Sequence, residues 1–340
     1  MSNGGVLGLA GPARVYDCLL GGKDNYAVDR ELVRELLRIE PGLVDAARAN
    51  RAFVRRAVRE LAGLGLRQFL DIGCGLPTND NVHQIASRHM PGARVLYVDQ
   101  DPLVLVHARA LLVDDGDVAA LQADLRKPED LVAQALDHGL LDPSEPIGVL
   151  VTSVLHHLTD ADDPWHTVRT LTAALPPGSV LVISHLTNTP TEPAPGTPTP
   201  PDTPPLAAPP PPAGIPLLTE PPPPLEQSLS RAASTPAGPR TAGSSAEDPS
   251  PEGASAEGAS AATGSVAADA SVSAAVAARY TEGCSLPLVP RDPAAILSLL
   301  DGLELLSPGF VPVEDWRPEI SAGTPSEPSL YLAAAATIPH

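Results

Sequence analysis

The chain has few aromatic residues, few cysteines and no long apolar run. Aromatic residues make up 3% of its 340 residues, so Val, Leu and Ile must fill the core. The three cysteines, Cys18, Cys74 and Cys284, have no neighbour at zinc-ligand spacing, and an odd number argues against a disulfide framework. No apolar run approaches the ~20 residues that a membrane helix needs, and the first residues lack the pattern of a signal peptide. We therefore expect a cytoplasmic protein with neither a membrane segment nor a metal site.

Positive charge is also scarce. The chain has 22 Lys and Arg residues against 41 Asp and Glu residues, which gives a net charge of −19. A surface that binds nucleic acid needs clustered basic residues to neutralise phosphates, whereas most basic residues here are spread among acidic ones on predicted helix faces. We therefore expect no nucleic-acid partner. The sequence carries no signal for an oligomeric state.

Proline is abundant, with 41 residues, and roughly half of them fall between Pro190 and Pro251. The segment 187–271 is rich in Pro, Ala, Ser, Thr and Gly, and it cannot bury enough apolar surface to offset the entropy of ordering. We predict a disordered insert of linker type, with local polyproline II conformation. Helical periodicity resumes near Val272, so the folded core is predicted to flank the insert.

Short apolar runs alternate with amphipathic helices from Gln68 onward. The predicted strands are 69–72, 95–98, 118–122, 147–154, 180–184, 303–306 and 330–334. Strands that alternate with helices of this length are typical of βαβ units with right-handed crossovers. The sequence therefore predicts an α/β fold with a doubly wound, mostly parallel, Rossmann-like sheet of seven strands.

The residues before this sheet are predicted to form a helical cap. Asp29 is expected to cap a helix that begins at Arg30, and a second helix buries Phe53 while placing Arg51 on its outer face. The predicted divisions are a helical cap or lid (12–66), the Rossmann-like core (67–186), the insert (187–271) and a C-terminal completion of the core (272–336).

A glycine turn follows the first predicted strand, with the sequence Asp71-Ile72-Gly73-Cys74-Gly75-Leu76-Pro77-Thr78. Gly73 and Gly75 permit a tight turn and a close approach of a ligand to the backbone. The amides at the start of the next helix favour an electronegative group. A purely structural βα turn would have the same pattern, so the glycines alone identify no ligand.

Acidic residues follow the next two strands. Asp99, which lies 24 residues after Gly75, could accept hydrogen bonds from both hydroxyls of a ribose. Asp124 could accept from an adenine amino group, with Leu125 against the ring. Each acid alone could be a helix cap, but ligands of such sheets bind where the parallel strands end. The third glycine of a dinucleotide fingerprint is replaced by Thr78, which favours a nucleoside cofactor without a pyrophosphate.

The same motifs resemble those of class I S-adenosylmethionine-dependent methyltransferases. More specifically, the chain is similar to a bacterial family whose substrates are largely unassigned. The motifs that carry this resemblance are 13–26, 47–53, 71–78, 97–99, 122–125, 155–157, 287–291, 302–305 and 316–318. The resemblance covers about 12–186 and 272–334. The chain departs from the family in its long insert and at Cys74, where Thr or Ser is expected.

The resemblance implies that S-adenosylmethionine is the cofactor and that the loop 21–26 folds over it. The predicted contacts in the core are Asp71, Gly73, Gly75, Thr78, Asp99, Gln100, Asp124 and Leu125. Lys23, Asn25, Arg48 or Asn50 could reach the methionyl carboxylate. For Arg48, a position on a solvated helix face is an equally good interpretation.

From the acids at three successive strand ends, we expect a methyltransferase that acts on a small molecule. In such a reaction the cofactor supplies the reactivity and the protein orients the reactants. His156, or its neighbour His157, is a candidate general base after the fourth strand, although a role in shaping the pocket is favoured. His185, after the fifth strand, is a weaker candidate for the general base. Two alternatives are a non-catalytic regulatory protein that binds S-adenosylmethionine and an NAD-dependent oxidoreductase. The sequence does not identify the acceptor.

Overall fold

The computed structural model describes residues 8–78, 80–112, 116–191, 265–318 and 329–339. All of them belong to one compact unit, which is formed by 1–195 and 261–340. The predicted disorder of 187–271 therefore lies outside the described residues, except at its two ends. Those ends belong to regular elements, because a strand continues to Thr191 and a helix begins at Ser265.

The described residues contain nine α-helices and eight β-strands. The helices are α1 (Pro12–Leu19), α2 (Ala27–Ile39), α3 (Leu43–Gly63), α4 (Val82–His89), α5 (Pro102–Leu111), α6 (Pro128–Asp137), α7 (Pro164–Ala173), α8 (Ser265–Gly283) and α9 (Pro293–Ser298). The strands are β1 (Gln68–Ile72), β2 (Arg94–Asp99), β3 (Val118–Gln122), β4 (Gly148–Thr152), β5 (Val180–Thr191), β6 (Glu304–Leu305), β7 (Val311–Pro312) and β8 (Ser329–Thr337). Two short 3-10 helices follow β4, namely Leu155–His157 and Asp160–Asp162. Each helix of these ranges is too short or too polar to cross a membrane.

The described strands form one sheet in the order β3-β2-β1-β4-β5-β8-β6, and β7 also pairs with β8. Strands β1 to β5 are parallel, whereas β8 runs antiparallel to β5, β6 and β7. The predicted α/β fold with a mostly parallel, Rossmann-like sheet is confirmed. The strand β7 is an addition to the seven predicted ones, because two residues that end in a proline carry no alternating pattern.

An apolar layer covers each face of the sheet, because successive side chains of its strands point to opposite faces and both sets are apolar. In β1, Phe69 packs into one apolar layer, whereas Leu70 and Ile72 pack into the other. In β8, the run 333–336 consists of four fully buried alanines that alternate between the same two layers. Residues on both faces of a central strand are therefore small or apolar, which explains the continuous apolar runs in the sequence.

The helices before the sheet form a third apolar cluster together with α8. Val15 of α1, Leu32 and Leu36 of α2, and Tyr280 of α8 belong to it. The predicted helix start at Arg30 is wrong, because α2 begins at Ala27. The fully buried Asp29 lies in its first turn, where its carboxylate accepts hydrogen bonds from the amides of Tyr26 (2.8 Å) and Gly11 (2.9 Å). Asp29 thus ties α2 to the start of α1.

Candidate active site

A cavity of about 520 Å³ lies at the carboxyl ends of β1, β2 and β4, and α1 and α3 also contribute to its wall. This volume is in the range of ~300–1,000 Å³ that is usual for small-molecule sites. Two groups of lining residues have different chemistry. The acidic half consists of Asp71, Gly73, Gly75, Asp99 and Asp124. The aromatic half consists of Tyr16, Asn50, Ser153, His156, His157, Tyr280 and Tyr331.

The glycine turn contributes Gly73 and Gly75 to the lining of the acidic half. Gly73 and Gly75 have φ values of +69° and +65°, in the left-handed region that favours glycine. A Cβ on Gly73 would lie 2.6 Å from Cγ2 of Val154, so this glycine is required for packing against the segment that follows β4. A Cβ on Gly75 would meet no atom within 4 Å, which leaves its backbone open to a ligand.

Asp99 is held against this turn at the end of β2. One of its carboxylate oxygens accepts a hydrogen bond from the amide of Gly75 (3.1 Å), and the other accepts from the amide of Asp101 (2.9 Å). Burial raises the pKa of Asp99, and the two amide hydrogen bonds oppose that shift. The carboxylate is therefore fixed in orientation at the position where a ribose was predicted.

Asp71 lies at the end of β1, close enough to Asp99 for the two carboxylates to interact. Burial raises the pKa of Asp71 to about 7, the neighbouring charge of Asp99 adds to this increase, and the guanidinium of Arg51 opposes it. Two neighbouring carboxylates, of which only Asp71 interacts with the charge of Arg51, make the acidic half suited to a ligand that brings hydroxyl donors or positive charge.

Arg51 is a lining residue that the sequence analysis did not assign to the site. Its predicted position on the outer face of the helix is wrong, because Nη2 donates to Oγ1 of Thr78 (2.7 Å) and to the carbonyl of Asp80 (2.9 Å). The guanidinium bends back over the glycine turn. The sequence offered no direct signal for this role; the structure shows that the preceding residue, the polar Asn50, is buried and also lines the cavity.

Asp124 and Leu125 line the cavity at the end of β3, together with Gln100 after β2. The carboxylate of Asp124 forms an ion pair with Arg126 (2.7 Å), whose hydrogen bonds hold the pKa of Asp124 below its usual range. The same guanidinium donates to Oε1 of Gln100 (3.1 Å). Leu125 is buried and supplies an apolar contact beside these polar groups. The roles predicted for Asp124 and Leu125 toward an adenine stay predictions.

Three of the predicted cofactor contacts do not line the cavity. Lys23 is exposed, and so is Arg48, which forms an ion pair with Asp45 one turn away on α3. Asn25 is buried, but its side-chain amide donates to Oδ2 of Asp17 (2.8 Å) and to the carbonyl of Gly22 (3.0 Å). Asn25 therefore stabilises the loop 21–26. It contacts the cavity only indirectly, by its hydrogen bond to Asp17, which is a lining residue.

The aromatic half is a network of neutral hydrogen-bonding groups that are buried or half-buried. The hydroxyls of Tyr331 and Ser153 lie 2.7 Å apart. The side-chain amide of Asn50 donates to the hydroxyl of Tyr16 (2.9 Å), which itself donates to the carbonyl of Ala47 (3.1 Å). The Oδ1 atom of Asn50 is buried and has no hydrogen-bond partner among the described residues. Because a buried acceptor without a donor is unfavourable, this atom is suited to a donor group on a ligand.

His156 and His157 lie in the 3-10 helix Leu155–His157, next to each other in the cavity wall. The Nδ1 atom of His157 lies 2.8 Å from the carbonyl of Pro287, and its ring stacks on Tyr280 with centroids 5.7 Å apart. The Nδ1 atom of His156 lies 3.4 Å from the amide of Leu186. Burial lowers the pKa of His157 to about 4 and lowers that of His156 strongly, so both rings are neutral near pH 7.

The buried Arg291 holds this histidine-bearing turn from outside the cavity lining. Its guanidinium donates to the carbonyls of Leu155 (3.4 Å) and Leu158 (2.8 Å) and pairs with Asp160 (2.8 Å). It also lies 3.2 Å from Nε2 of His185, whose Nδ1 is bound to the carbonyl of Leu186. Both nitrogens of His185 therefore have protein partners, and this residue does not line the cavity. No group of three or more His, Cys, Asp or Glu side chains in the described ranges is arranged to hold a metal ion.

Comparison with known proteins identifies the family. The family described as S-adenosyl methyltransferase matches residues 8–197 and 250–338. A candidate methyltransferase from Thermobifida fusca YX is 28% identical, with a TM-score of 0.70, over 98% of this chain and 97% of that one. A DUF574 family protein from Streptomyces avermitilis MA-4680 is also 28% identical, with a TM-score of 0.68, over 97% of this chain and 98% of that one.

No curated protein matches the chain. The two alternatives, a non-catalytic regulatory protein and an NAD-dependent oxidoreductase, receive no support from these matches. The glycine turn, the strand-end acids and the family match agree on one cofactor. The chain belongs to the S-adenosyl methyltransferase family, and its cofactor is S-adenosylmethionine.

Proposed function

We propose that this chain transfers the methyl group of S-adenosylmethionine to a small molecule that binds in the aromatic half of the cavity. The observation that carries this proposal is the continuity of one cavity from Asp99, bound to the amide of Gly75, to the turn that bears His157. A cofactor in the acidic half and an acceptor in the aromatic half would share this space. Such proximity and orientation can supply ~7–11 kcal/mol of a reaction barrier.

The residues of the acidic half fit the parts of the cofactor. The fixed carboxylate of Asp99 suits the ribose hydroxyls, and the open backbone of Gly75 suits close contact with the nucleoside. Asp124 and Leu125 suit the amino group and the face of adenine. Arg51 suits the methionyl carboxylate, in place of Lys23, Asn25 or Arg48, since arginine binds carboxylates with paired hydrogen bonds. The bound cofactor supplies an electrophilic methyl group.

The walls of the aromatic half favour a small acceptor. His156 and Asn50 are each only 2% exposed, and Tyr331 is 5% exposed. A group on the surface of a large macromolecule could not reach these side chains without a long, thin extension. The negative charge of the chain, −19, also disfavours an acceptor on nucleic acid.

Calorimetric titration with S-adenosylmethionine tests the cofactor half of the proposal. The Asp99→Ala variant loses the carboxylate that binds the ribose, so we expect its affinity to fall at least about tenfold, as for loss of hydrogen bonds to a charged group. The Asp130→Ala variant is a matched control, because Asp130 is exposed on α6 and does not line the cavity. Equal affinity in the wild type and Asp99→Ala would contradict the assignment. Release of S-adenosylhomocysteine with a library of small molecules tests the transfer itself.

A further inference from the structure

The hydrogen bond between His157 and Pro287 determines which ring nitrogen of His157 carries the proton. A carbonyl oxygen can only accept, so Nδ1 of His157, at 2.8 Å, must be the donor. A neutral imidazole has one proton on its two nitrogens. The Nε2 atom of His157 therefore carries a lone pair, and the ring of this cavity-lining residue is held in place by stacking on Tyr280.

The neighbouring histidines have different hydrogen bonds. A backbone amide can only donate, so Nδ1 of His156 accepts from Leu186 (3.4 Å), and the proton of its neutral ring lies on Nε2. His185 has a protein partner at each nitrogen and lies outside the cavity lining. Of these three rings, His157 combines a position in the cavity wall with a ring nitrogen, Nε2, to which no residue of the described ranges donates a hydrogen bond.

The side chains of the aromatic half carry no charge of their own near pH 7, and the nearby charges of Arg51 and Arg291 act on Tyr16 and His156, respectively. Its side chains are tyrosines, histidines, a serine and an asparagine, and burial raises the pKa of Tyr280 and Tyr331 while it lowers the pKa of both histidines. A buried charge without a partner is strongly unfavourable. A neutral acceptor therefore suits the side chains around His157 and Tyr280, where its atoms would face aromatic rings and hydrogen-bonding groups.

We propose that His157 is the general base of the methyl transfer and that the acceptor is a neutral, ring-bearing molecule whose hydroxyl oxygen receives the methyl group. This inference rests on the proposed function. The hydroxyl donates its hydrogen bond to Nε2 of His157, and the Nε2–H proton of His156 is available to orient an oxygen of the ligand. Asn50 offers its unpaired Oδ1 to a second donor on the same molecule.

The reaction balances with these groups. The oxygen–methyl bond forms as the methyl–sulfur bond breaks, and the sulfur keeps the electron pair. The proton of the hydroxyl passes to Nε2 of His157. The resulting imidazolium keeps its hydrogen bond to the carbonyl of Pro287, which favours the charged ring, until the proton passes to water.

Binding of three probes to the full-length chain, saturated with S-adenosylhomocysteine, tests the inference. The probes are 2-naphthol, its methyl ether 2-methoxynaphthalene, and the cation 2-naphthylmethylamine. We expect 2-naphthol to bind about tenfold more tightly than either of the others, as for one hydrogen bond. In His157→Phe, which keeps a ring against Tyr280, the preference for the phenol over its ether is expected to disappear. In His156→Phe both probes should weaken while the preference remains.

Long-range proton–nitrogen NMR of the histidine rings in the wild-type chain gives a second readout that needs no variant to fold. We expect the proton on Nδ1 of His157 and on Nε2 of His156. Four results would each overturn the inference. The NMR result is a proton on Nε2 of His157. The binding results are a preference for the phenol that persists in His157→Phe, tightest binding of the cation, and no binding of any probe. Binding of S-adenosylhomocysteine is measured first, without a probe. If S-adenosylhomocysteine does not bind, the proposed function is contradicted, and not only the role of His157.

Discussion

The Nη2 atom of Arg51 lies 2.7 Å from Oγ1 of Thr78, and this hydrogen bond joins the helix α3 to the end of the glycine turn. The same nitrogen donates to the carbonyl of Asp80 at 2.9 Å. Arg51 is also close enough to Asp71 to oppose the rise in pKa that burial imposes on that carboxyl. One arginine of the cap therefore fixes the turn and provides the positive charge beside the acidic half.

The Arg51→Gln variant should bind S-adenosylmethionine more weakly. Hydrogen bonds to a charged group contribute ~1.5–3 kcal/mol, so we expect the affinity to fall about tenfold to a hundredfold in calorimetric titrations. Arg55→Gln is the matched control, because Arg55 lies one turn further along α3, is half exposed and does not line the cavity. If both variants bind equally well, Arg51 does not contact the cofactor.

The Gly73→Ala variant should be less stable than the wild type for two separable reasons. The left-handed φ of +69° costs ~1–2 kcal/mol with a Cβ present, and the overlap with Val154, at 2.6 Å, adds ~1–3 kcal/mol. Urea unfolding should show both terms in Gly73→Ala. The backbone term alone should appear in Gly75→Ala, where φ is +65° and a Cβ meets no atom.

The double variant Gly73→Ala/Val154→Ala provides the internal control for that overlap. Removal of the valine methyl groups should restore part of the stability that Gly73→Ala loses, relative to Val154→Ala alone. If the two substitutions simply add, the packing between the glycine turn and the segment after β4 is not what requires a glycine at this position.

The sequence predicts the parts of this site that depend on local order along the chain. Asp99 and Asp124 were found because parallel strands end at one edge, and Gly73 and Gly75 because a tight turn must connect β1 to α4. The role of Arg51 depends on its contact with Thr78, which is 27 positions away in the chain. The role of Pro287 depends on its contact with His157, which is 130 positions away. The hydrophobic pattern of a single helix carries no information about contacts with distant parts of the chain, so the pattern of α3 placed Arg51 on a solvated face.

Arg291 should contribute more to stability than its ion-pair partner Asp160. The side chain of Arg291 is 5% exposed and donates to the carbonyls of Leu155 and Leu158, which would lose these donors in Arg291→Met. We expect a loss of ~2–4 kcal/mol in the free energy of unfolding. The carboxylate of Asp160 is 77% exposed, so Asp160→Asn should cost less than ~1 kcal/mol. Equal losses would mean that the ion pair, rather than the carbonyl contacts, stabilises the turn.

Asp71 should make the stability of the ligand-free chain depend on pH in an unusual direction. Its pKa is about 7 in the folded chain, chiefly because of burial, whereas an unfolded aspartate has a pKa of ~3.9. Between these values the folded chain holds a proton that the unfolded chain lacks. The stability that Asp71 contributes is therefore complete below pH ~4 and is lost as the pH rises through about 7.

The Asp71→Asn variant removes this titration and isolates its contribution from those of the buried histidines. The free energy of unfolding of the wild type, minus that of Asp71→Asn, should fall between pH ~4 and ~7 by up to ~1.4 kcal/mol per pH unit. Asp142→Asn is the matched control. Hydrogen bonds from Ser144 hold the pKa of Asp142 below its usual range, so its contribution changes only below pH ~4 and the corresponding difference should stay nearly constant between pH ~4 and ~7. A difference for Asp71→Asn that stays constant across this interval would show that the folded chain does not raise the pKa of Asp71.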